Sequence, residues 1–432
     1  MDVMVKLEDT QIGIIGLGYV GLPLAMAFAQ YYPVIGFDIV ENRILELQSG
    51  NDTTLEVTCD ELTANKNLIF SNDETSLVDC NIYIVTVPTP IDEYKKPDLS
   101  LLKNASAMVG KYVAAGDIVI YESTVYPGAT EEDCLPEVEA VSGMKLNKDF
   151  YAGYSPERIS PGDTNRKLKD IVKVTSGSTP EIADIVDTLY NKIIEAGTHK
   201  APTIKVAETS KVIENTQRDV NIALINEIAL ICDRLNINTL DVISAASTKW
   251  NFLPFKPGLV GGHCIGVDPY YLANKAQSAG YYPEVVLAGR RVNDGMGIFI
   301  ATRLIREMIL EGITVKGAPV LVLGVTFKEN CPDLRNSKVN DMIHELMSFG
   351  IEVDCYDPWA TSEETQKSFG FSLKEPEVGK YAAVIIAVAH QQFVDGGFNT
   401  LLSYGTPDAI FYDVKGQFKL ESQESDRKVL ML

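Results

Sequence analysis

The first half of the chain alternates short apolar runs with segments in which apolar residues recur at helical spacing. The apolar runs are rich in β-branched residues and read QIGIIG, PVIGFDIV, NIYIVTVP, DIVIYEST, DFYAGYS and IVKVTSG. Alternation of this kind is typical of a parallel sheet wrapped by helices. The pattern therefore predicts one α/β domain, which we place at residues 1–202.

The pattern changes at Thr203. From there to about Asn236 more than thirty residues contain neither Gly nor Pro, and apolar residues recur at helical spacing. A helix of this length extends about 45–50 Å, which is longer than one small domain needs. We therefore predict a central helical domain over 203–312, in which this helix connects two domains and offers a dimerisation face.

Strand patterns resume near residue 315. The runs are APVLVLGVTF, IEVDCYDP, YAAVIIAVAH and AIFYDVKG, with a helical stretch near SKVNDMIHELMSFG. They predict a second doubly wound domain over 313–432. The predicted fold class is α/β, with two Rossmann-like doubly wound domains joined by a helical domain and its long connecting helix.

Length, charge and cysteine usage narrow the range of functions. A chain of 432 residues is too long for one core. Its net charge of −21 repels nucleic acid and anionic lipid, so we predict neither a nucleic-acid nor a membrane partner. No apolar run reaches the roughly 18–20 residues of a membrane span, and the beginning MDVMVKLEDT lacks a signal-peptide pattern. The seven scattered cysteines, without CxxC spacing, indicate reduced thiols in a cytoplasmic protein.

A glycine motif, Gly16-x-Gly18-x-x-Gly21, lies between the first strand and an apolar helix. Such glycines permit a tight turn, close approach of the backbone to a pyrophosphate, and close packing of helix on strand. The next strand ends at Asp38, 17 residues after Gly21, where a carboxylate accepts from a ribose 2′-hydroxyl and repels a 2′-phosphate. We therefore predict NAD rather than NADP as cofactor, although Arg43, near the adenosine side, weakens that preference.

Polar segments follow three other predicted strands: 86–90, 122–125 and the YSPER run that contains Glu157. Ligands in open α/β sheets bind beyond the carboxyl ends of the strands, so these side chains would face the ligand crevice. Polar strand ends and turn-forming prolines explain the first two segments equally well. A solvated surface carboxylate is the commoner explanation for Glu157 unless an acid/base is needed nearby.

Three interpretations are open for Cys264 in GGHCIGVDP: a buried thiol, a metal ligand and a nucleophile. His263 is adjacent, but the chain has only four histidines and no second ligand pair, so we predict no metal. Cysteine is commonly buried. Against that, the two preceding glycines would let the chain pass close to a ligand, and a thiolate attacks aldehydes when positive charge or a base is near. Lys211 and Asn215, one turn apart on the long helix, could stabilise an oxyanion.

Five blocks of sequence resemble the UDP-glucose/GDP-mannose dehydrogenase family, in order and over essentially the whole chain. They are GLGYVGLPLA, GYSPERISPGD, ETSKVIENTQRDVNIALINE, PGLVGGHCIGVDPYYL and GVTFKENCPDLRNS. The resemblance implies an NAD-binding first domain, a dimerising central domain with the cysteine loop, and a last domain that binds the UDP moiety. It also implies that the C6 alcohol of a nucleotide sugar becomes a carboxylate through a thiohemiacetal and a thioester, with two NAD⁺ consumed.

The same resemblance implies roles for single residues. Cys264 is the nucleophile, Glu157 the acid/base of hydrolysis and Lys211 the group that stabilises the oxyanion. Asn215 and Asp268 position donors and an ordered water. The residues that we assign to the cofactor are Gly16, Gly18, Tyr19, Val20, Gly21, Asp38, Arg43, Thr86, Pro88, Thr89, Thr124 and Arg335. Those that we assign to the substrate are Glu157, Arg158, Lys211, Asn215, Phe255, Gly258, Gly261, Arg291 and Lys328.

The sugar is the least determined part of the prediction. Where UDP-glucose dehydrogenases commonly carry an E-F-L-A-E-G type run, this chain has residues 157–162, ERISPG. That form looks more like enzymes that act on UDP-GlcNAc or UDP-GalNAc, and UDP-ManNAc or UDP-glucose is the alternative. Arg158 could serve the 2-acetamido group or make a salt bridge. Arg290 and Arg291 could reach UDP-sugar phosphates, reach a neighbouring subunit's site, or be ordinary surface charges.

Two functions outside this chemistry stay open. One is a dehydrogenase with a single hydride transfer, which has no use for a cysteine thioester. The other is a nucleotide-sensing or scaffold protein without catalysis, which the presence of Cys264, Lys211 and Glu157 disfavours. We therefore predict a cytoplasmic NAD-dependent UDP-N-acetylhexosamine 6-dehydrogenase, a homodimer or higher homo-oligomer, that supplies uronic acid units for a surface polysaccharide.

Overall fold

A computed structural model describes residues 7–92, 94–159, 166–262 and 264–432. Its strands are β1 (Ile12–Ile15), β2 (Val34–Phe37), β3 (Leu68–Ser71), β4 (Ile82–Val85), β5 (Ile118–Tyr121), β6 (Tyr151–Tyr154), β7 (Lys173–Gly177), β8 (Thr198–Lys200), β9 (Pro319–Leu323), β10 (Glu352–Tyr356), β11 (Tyr381–Ile386), β12 (Gly405–Asp413) and β13 (Val429–Met431). Its α-helices are α1 (Gly21–Phe28), α2 (Glu41–Gln48), α3 (Cys59–Ala64), α4 (Ser100–Gly110), α5 (Leu135–Ser142), α6 (Pro180–Asn191), α7 (Ile204–Leu235), α8 (Thr239–Ala246), α9 (Asp268–Ser278), α10 (Glu284–Leu310), α11 (Lys338–Ser348), α12 (Ser362–Phe369), α13 (Gln391–Gly396), α14 (Phe398–Tyr404) and α15 (Lys419–Gln423).

The chain forms two compact units. The first unit comprises Met1–Glu214 and Tyr270–Tyr281, and the second comprises Asn215–Pro269 and Tyr282–Leu432. The mixed α/β class and the two sheets confirm the predicted fold class. The predicted domain limits at residues 202 and 312 stay predictions.

The first unit contains a sheet with the strand order β3-β2-β1-β4-β5-β6-β7-β8. Neighbouring strands are parallel except for β6 and β7, which are antiparallel, so the prediction of a parallel sheet is wrong at this pair. Parallel neighbours need a crossover connection, usually an α-helix. Among the described residues between these two strands, only the 3₁₀ turn Leu168–Asp170 is helical.

Alternating side chains of this sheet enter two separate cores. On β4, Ile82 and Ile84 pack into one core, and Tyr83 and Val85 pack into the other. Strands of parallel sheets are covered on both faces, which is why they read as continuous apolar runs. The short strands β3 and β8 were not predicted: LIFS contains only three consecutive apolar residues, and THK contains none.

The second unit contains a parallel sheet with the order β10-β9-β11-β12-β13. Val320 and Val322 of β9 pack into a core with α10 and α11, and Leu321 and Leu323 pack into the core on the opposite face. The alternation again gives two apolar faces, so both predicted α/β sheets are present.

The long helix predicted from Thr203 is α7, which spans 32 residues. At 1.5 Å per residue it extends about 48 Å. The boundary between the two units falls inside it, after Glu214. In the described ranges no helix has both the length and the apolar character that crossing a membrane requires.

Candidate active site

The glycine turn after β1 is dictated by contacts within the protein itself. Gly16 has φ +97°, a conformation that disfavours other residues. A Cβ on Gly21 would lie 1.8 Å from the Gly16 carbonyl oxygen, so no side chain fits there. The Thr86 hydroxyl lies 2.6 Å from the same oxygen, to which it donates. Thr86, which we assigned to the cofactor, therefore also fixes the turn.

Gly18 has a different environment from its two partners. A Cβ built on it would meet no atom within 4 Å, so the space beside it is open. Tyr19 and Val20 complete the turn and are half-buried. Helix α1 begins at Gly21, and the N–H groups at the beginning of a helix attract an anion. An open backbone surface at a helix N-terminus fits the pyrophosphate of NAD.

Asp38 is fixed at the end of β2 by two main-chain donors. Its Oδ2 accepts from the Leu17 amide at 2.8 Å, and its Oδ1 accepts from the Val40 amide at 2.9 Å. Each carboxylate oxygen has a further lone pair for a ribose hydroxyl. The Arg43 guanidinium is held by the Leu17 carbonyl and by Asp52, at 2.9 and 2.8 Å. Arg43 thus supports the turn from inside the protein.

The ends of β4 and β5 meet, as expected for parallel neighbours. The Thr89 hydroxyl donates to the Thr124 carbonyl oxygen at 2.6 Å, and Pro88 beside it is exposed. The Tyr271 hydroxyl of α9 donates to the Thr89 carbonyl oxygen. We did not predict Tyr271, whose signal was the tyrosine pair in DPYYL. This polar strand edge lies in the first unit together with the glycine turn.

Glu157 and Lys211 form a buried pair in the first unit. The Lys211 Nζ lies 3.7 Å from Glu157 Oε2, with only 6% and 4% of the two side chains exposed. Burial raises the pKa of Glu157, and the positive charge of Lys211 opposes the rise. A carboxyl group with a raised pKa can take a proton from water near neutral pH. An adjacent ammonium can stabilise a negative oxygen.

Behind Glu157 lies a second buried pair that the sequence analysis missed. The Lys173 Nζ donates to Glu122 Oε2 at 2.5 Å, and the Tyr190 hydroxyl donates to the other Glu122 oxygen at 2.6 Å. We had considered Glu122 only as part of a polar strand end. The signal in the sequence was the lysine inside the apolar run IVKVTSG. A strand with such a run is buried on both faces, and a buried lysine needs a partner of opposite charge.

Arg158 forms a salt bridge, which is one of the two roles that we considered for it. Its Nη2 lies 2.6 Å from Oε1 of Glu214, and its Nη1 donates to the Val172 carbonyl oxygen at 2.7 Å. The role at the 2-acetamido group stays a prediction. Residues 160–162 of the ERISPG run and His263 lie outside the described residues.

The cysteine loop lies in the second unit. The Cys264 carbonyl oxygen accepts from the amides of Val267 and Asp268 at 3.0 and 2.9 Å, which forms the turn that leads into α9. The Cys264 side chain is partly exposed and belongs to no disulfide. Asn215 Nδ2 donates to Asp268 Oδ2 at 2.6 Å, so two residues assigned to one site are in contact. In the described part of the chain, no three side chains of His, Cys, Asp or Glu form a metal-binding group.

The glycine pair before Cys264 packs against protein. A Cβ on Gly261 would lie 2.6 Å from the Asn336 carbonyl oxygen, and one on Gly262, at φ +84°, would lie 2.8 Å from the Phe327 ring. We had interpreted these glycines as room for a ligand. Neighbouring protein atoms exclude side chains at both positions, so packing within the protein is sufficient to account for the two glycines. Contact of the Gly261 main chain with substrate stays a prediction.

The loop before it is fixed by one amide side chain. Asn226 accepts from the Gly258 amide at 2.8 Å and donates to the Gly258 carbonyl oxygen at 3.0 Å. This reciprocal pair fixes the backbone three residues after Phe255, which is half-buried. The substrate roles of Gly258 and Phe255 stay predictions.

Two other predicted residues follow β9. The Lys328 ammonium lies 5.7 Å from the centre of the Phe327 ring. Arg335 pairs with Asp333 at 2.7 Å, and about half of its guanidinium side chain is exposed. Lys328 is half-buried and Arg335 is exposed, and their roles toward substrate and cofactor stay predictions.

The two consecutive arginines of α10 lie in opposite environments. Arg290 is buried and pairs with Asp219 and Asp294, at 2.6 Å each, whereas Arg291 is exposed. Arg290 is thus a structural residue, and the suggestion that it reaches UDP-sugar phosphates is wrong. The substrate role of Arg291 stays a prediction.

Comparison with protein families gives three matches. The NAD binding domain of the UDP-glucose/GDP-mannose dehydrogenase family matches residues 10–194, its central domain 205–295 and its UDP binding domain 321–419. These matches confirm the family inferred from the five sequence blocks. They also confirm NAD as the cofactor and oxidoreduction as the chemistry.

Individual relatives cover almost the whole chain. A UDP-N-acetyl-D-glucosamine 6-dehydrogenase of Pseudomonas aeruginosa is 55% identical over 98% of this chain and 100% of its own length. One of Salmonella typhi is 53% identical over 98% and 99%. The solved structure of a UDP-D-ManNAc dehydrogenase of Pyrococcus horikoshii gives a TM-score of 0.86 at 29% identity, covering 98% of this chain and 99% of that one. The chain therefore belongs to the UDP-glucose/GDP-mannose dehydrogenase family.

Proposed function

We propose that this NAD-dependent dehydrogenase oxidises the C6 hydroxymethyl group of UDP-GlcNAc to a carboxylate. The observation that carries the proposal is the 55% identity, over 98% of the chain, to a protein named for this substrate. UDP-GalNAc, the C4 epimer, is the second candidate within the UDP-N-acetylhexosamine class that we predicted from ERISPG.

The buried pair in the first unit supports a hydrolytic half-reaction. NAD, when bound, accepts the hydride in each of the two oxidations. The Cys264 thiolate adds to the C6 aldehyde, and the product loses its remaining C6 hydrogen as hydride to give a thioester. Lys211 stabilises negative charge on the C6 oxygen, and Glu157 takes a proton from the attacking water. The carbon–sulfur bond then breaks, which releases the carboxylate and restores the thiolate.

The experiment is a stoichiometry measurement on the purified protein with NAD⁺ and UDP-GlcNAc. We expect two NADH per uronate, and loss of uronate formation in Cys264→Ala. Cys59→Ala, which changes an exposed cysteine, is the matched control and should retain full activity. One NADH per substrate would contradict the proposal, and so would full uronate formation by Cys264→Ala. Side-by-side kcat/KM values for the UDP derivatives of GlcNAc, GalNAc, ManNAc and glucose show which of the four sugars is the preferred substrate.

We also propose that the enzyme is a cytoplasmic homodimer, or a higher homo-oligomer, that supplies uronic acid for a surface polysaccharide. Support for dimerisation comes from apolar residues of α7 that are about half exposed: Ile213, Leu224 and Ile231. Their spacing of 11 and 7 residues places them on one helix face. The variant Leu224→Lys/Ile231→Lys should be monomeric by light scattering, whereas Arg218→Ala, at an exposed position on another face, should not change the mass. An unchanged mass of the double variant would refute this interface.

A further inference from the structure

The pair of Lys173 and Glu122 lies in one of the most deeply buried parts of the first unit. Lys173 is 3% exposed, and Glu122 and Tyr190 are fully buried. Lys173 Nζ contacts Glu122 Oε2 at 2.5 Å and also lies 5.5 Å from the centre of the Tyr190 ring. The mechanism above uses none of these three side chains. A buried ion pair is expensive to desolvate, and apolar residues of similar volume are often as stable or more so.

Lys173 and Glu122 form hydrogen bonds with both ends of one peptide group. Lys173 Nζ donates to the Pro156 carbonyl oxygen at 3.0 Å. The amide of Glu157 donates to the main-chain carbonyl oxygen of Glu122 at 3.3 Å. The Pro156 carbonyl and the Glu157 amide are the two halves of the same peptide bond. Both ends of the peptide plane that carries Glu157 are therefore held, one by the Lys173 side chain and the other by the main chain of Glu122, whose carboxylate fixes Lys173.

The same residues determine the charge around Glu157. Lys211 Nζ lies 3.7 Å from its carboxylate, and the charges of Lys173 and Glu122 also act on it. Burial raises the pKa of Glu157; the charges of Lys211 and Lys173 lower it, and the charge of Glu122 raises it. The negative charges of two carboxylates and the positive charges of two ammonium groups thus balance within this cluster. Loss of Lys173 alone would leave an excess of negative charge in a buried place, which favours proton uptake.

We propose that Lys173 and Glu122 are positioning residues of the hydrolytic step, which hold the peptide bond before Glu157 and so aim its carboxylate at the attacking water. The inference rests on the proposed function, in which Glu157 activates water for thioester hydrolysis. Neither residue takes part in the bond changes. Misplacement of a catalytic group by about 1 Å costs on the order of 100-fold in rate, so the support of Glu157 matters to hydrolysis.

The test is the variant Glu122→Gln/Lys173→Met, which removes both charges together at similar volume. With NAD⁺ and UDP-GlcNAc, we expect a rapid NADH burst of wild-type size and a steady-state rate lower by about 10–100-fold. Intact-mass analysis should show an adduct on Cys264 that accumulates in the variant. The KM for UDP-GlcNAc should fall together with kcat, so that kcat/KM stays within about 2-fold, because a slower last step lets the covalent adduct accumulate without weakening substrate binding.

Thr175→Val is the matched structural control. Thr175 lies two residues after Lys173 on β7, is buried, and donates to Asp187 at 2.7 Å. The Thr175→Val variant should be less stable than the wild type, but the ratio of its NADH burst to its steady-state rate should be unchanged. Should the double variant not fold, Tyr190→Phe keeps the ion pair but removes one hydrogen bond of Glu122, and we expect a several-fold lower steady-state rate with a full burst.

The outcomes separate the inference from the proposed function. A folded double variant that hydrolyses at the wild-type rate overturns the inference, and so does a variant whose burst and steady state fall in equal proportion. An unchanged steady state in Tyr190→Phe, when only that variant folds, also overturns it. If the wild-type protein itself forms no Cys264 adduct and no uronate, the proposed function has failed instead.

Discussion

The side-chain amide of Asn215 donates to Oδ2 of Asp268 at 2.6 Å, across 53 positions of the sequence. Asp268 is almost completely buried, and its amide closes the turn on the Cys264 carbonyl oxygen. One hydrogen bond thus connects the long helix to the turn that carries the cysteine. A hydrogen bond to a buried charged group contributes about 1.5–3 kcal/mol.

This contact predicts coupled stability effects. Asn215→Ala and Asp268→Ala should each lower the free energy of unfolding by about 1–3 kcal/mol, because each removes this hydrogen bond to a carboxylate that is almost completely buried. In the double variant the loss should be smaller than the sum by about 1 kcal/mol or more, as measured by urea denaturation. Asn221→Ala, on the same helix, removes only a local bond to Gln217 and serves as the control. Strict additivity of the first two changes would contradict the prediction.

The glycine turn predicts a separation of stability from cofactor binding. Gly18→Ala should leave the melting temperature unchanged, because its Cβ meets no protein atom within 4 Å, yet weaken NADH binding by about 10-fold or more by filling the pyrophosphate space. Gly21→Ala should lower both, since its Cβ would lie 1.8 Å from the Gly16 carbonyl oxygen. Fluorescence titration with NADH and thermal melting measure the two effects. Wild-type NADH affinity in Gly18→Ala would refute the assignment of that space.

Asp38 predicts the choice between NAD and NADP. The variant Asp38→Asn keeps an oxygen acceptor but removes the negative charge that repels a 2′-phosphate. We expect kcat/KM for NAD⁺ to fall by about 10-fold or more and the ratio of NADP⁺ to NAD⁺ efficiency to rise by a similar factor, since a charge-assisted hydrogen bond to the ribose is weakened. Asp52→Asn, which alters the internal partner of Arg43, is the control and should not raise that ratio. An unchanged ratio in Asp38→Asn is the opposing result.

Glu208 and Asp117 predict how stability depends on pH. Glu208 of α7 is fully buried and accepts from the amides of Gly128 and Thr130, and burial raises its pKa to about 7. Asp117 accepts from the Ala114 amide, and burial raises its pKa to about 7 as well. In both cases the unfolded state releases its proton first as the pH rises. The stability contributed by the protonated forms is therefore complete below about pH 4 and is lost as the pH rises through 7.

The corresponding variants should flatten this dependence. Glu208→Gln should remove roughly 3 kcal/mol of the decline in unfolding free energy between pH 4.5 and 7, measured by urea denaturation at several pH values. Asp117→Asn should remove a decline of similar size. Ser106→Ala, which removes a buried hydroxyl but no titrating group, should lower stability and keep the slope. An unchanged slope in Glu208→Gln would show that its carboxyl titrates normally.

Local sequence determined the elements and the cofactor turn. The strands β1, β2, β4 and β5 read as continuous apolar runs because both of their faces are buried, and α7 reads as a helix because its apolar spacing persists without Gly or Pro. Two of the glycines after β1 are explained within the turn itself: Gly16 has a positive φ, and a Cβ on Gly21 would meet the Gly16 carbonyl oxygen, so the spacing of the motif predicts the turn. The five blocks likewise sufficed to identify the family.

Only the tertiary structure decided which distant side chains meet. Two buried ion pairs join side chains from different elements: Glu157 with Lys211, and Glu122 with Lys173. Hydrophobic periodicity carries no information on such pairing. The reversal at β7 depends on the path between strands, not on the strand's own composition. The glycines before Cys264 pack against Asn336 and Phe327, which lie more than sixty residues away, so the local sequence does not show this reason for them. Elements follow from local propensity and burial pattern, whereas the contacts that fix charges and backbone at the site follow from packing between elements.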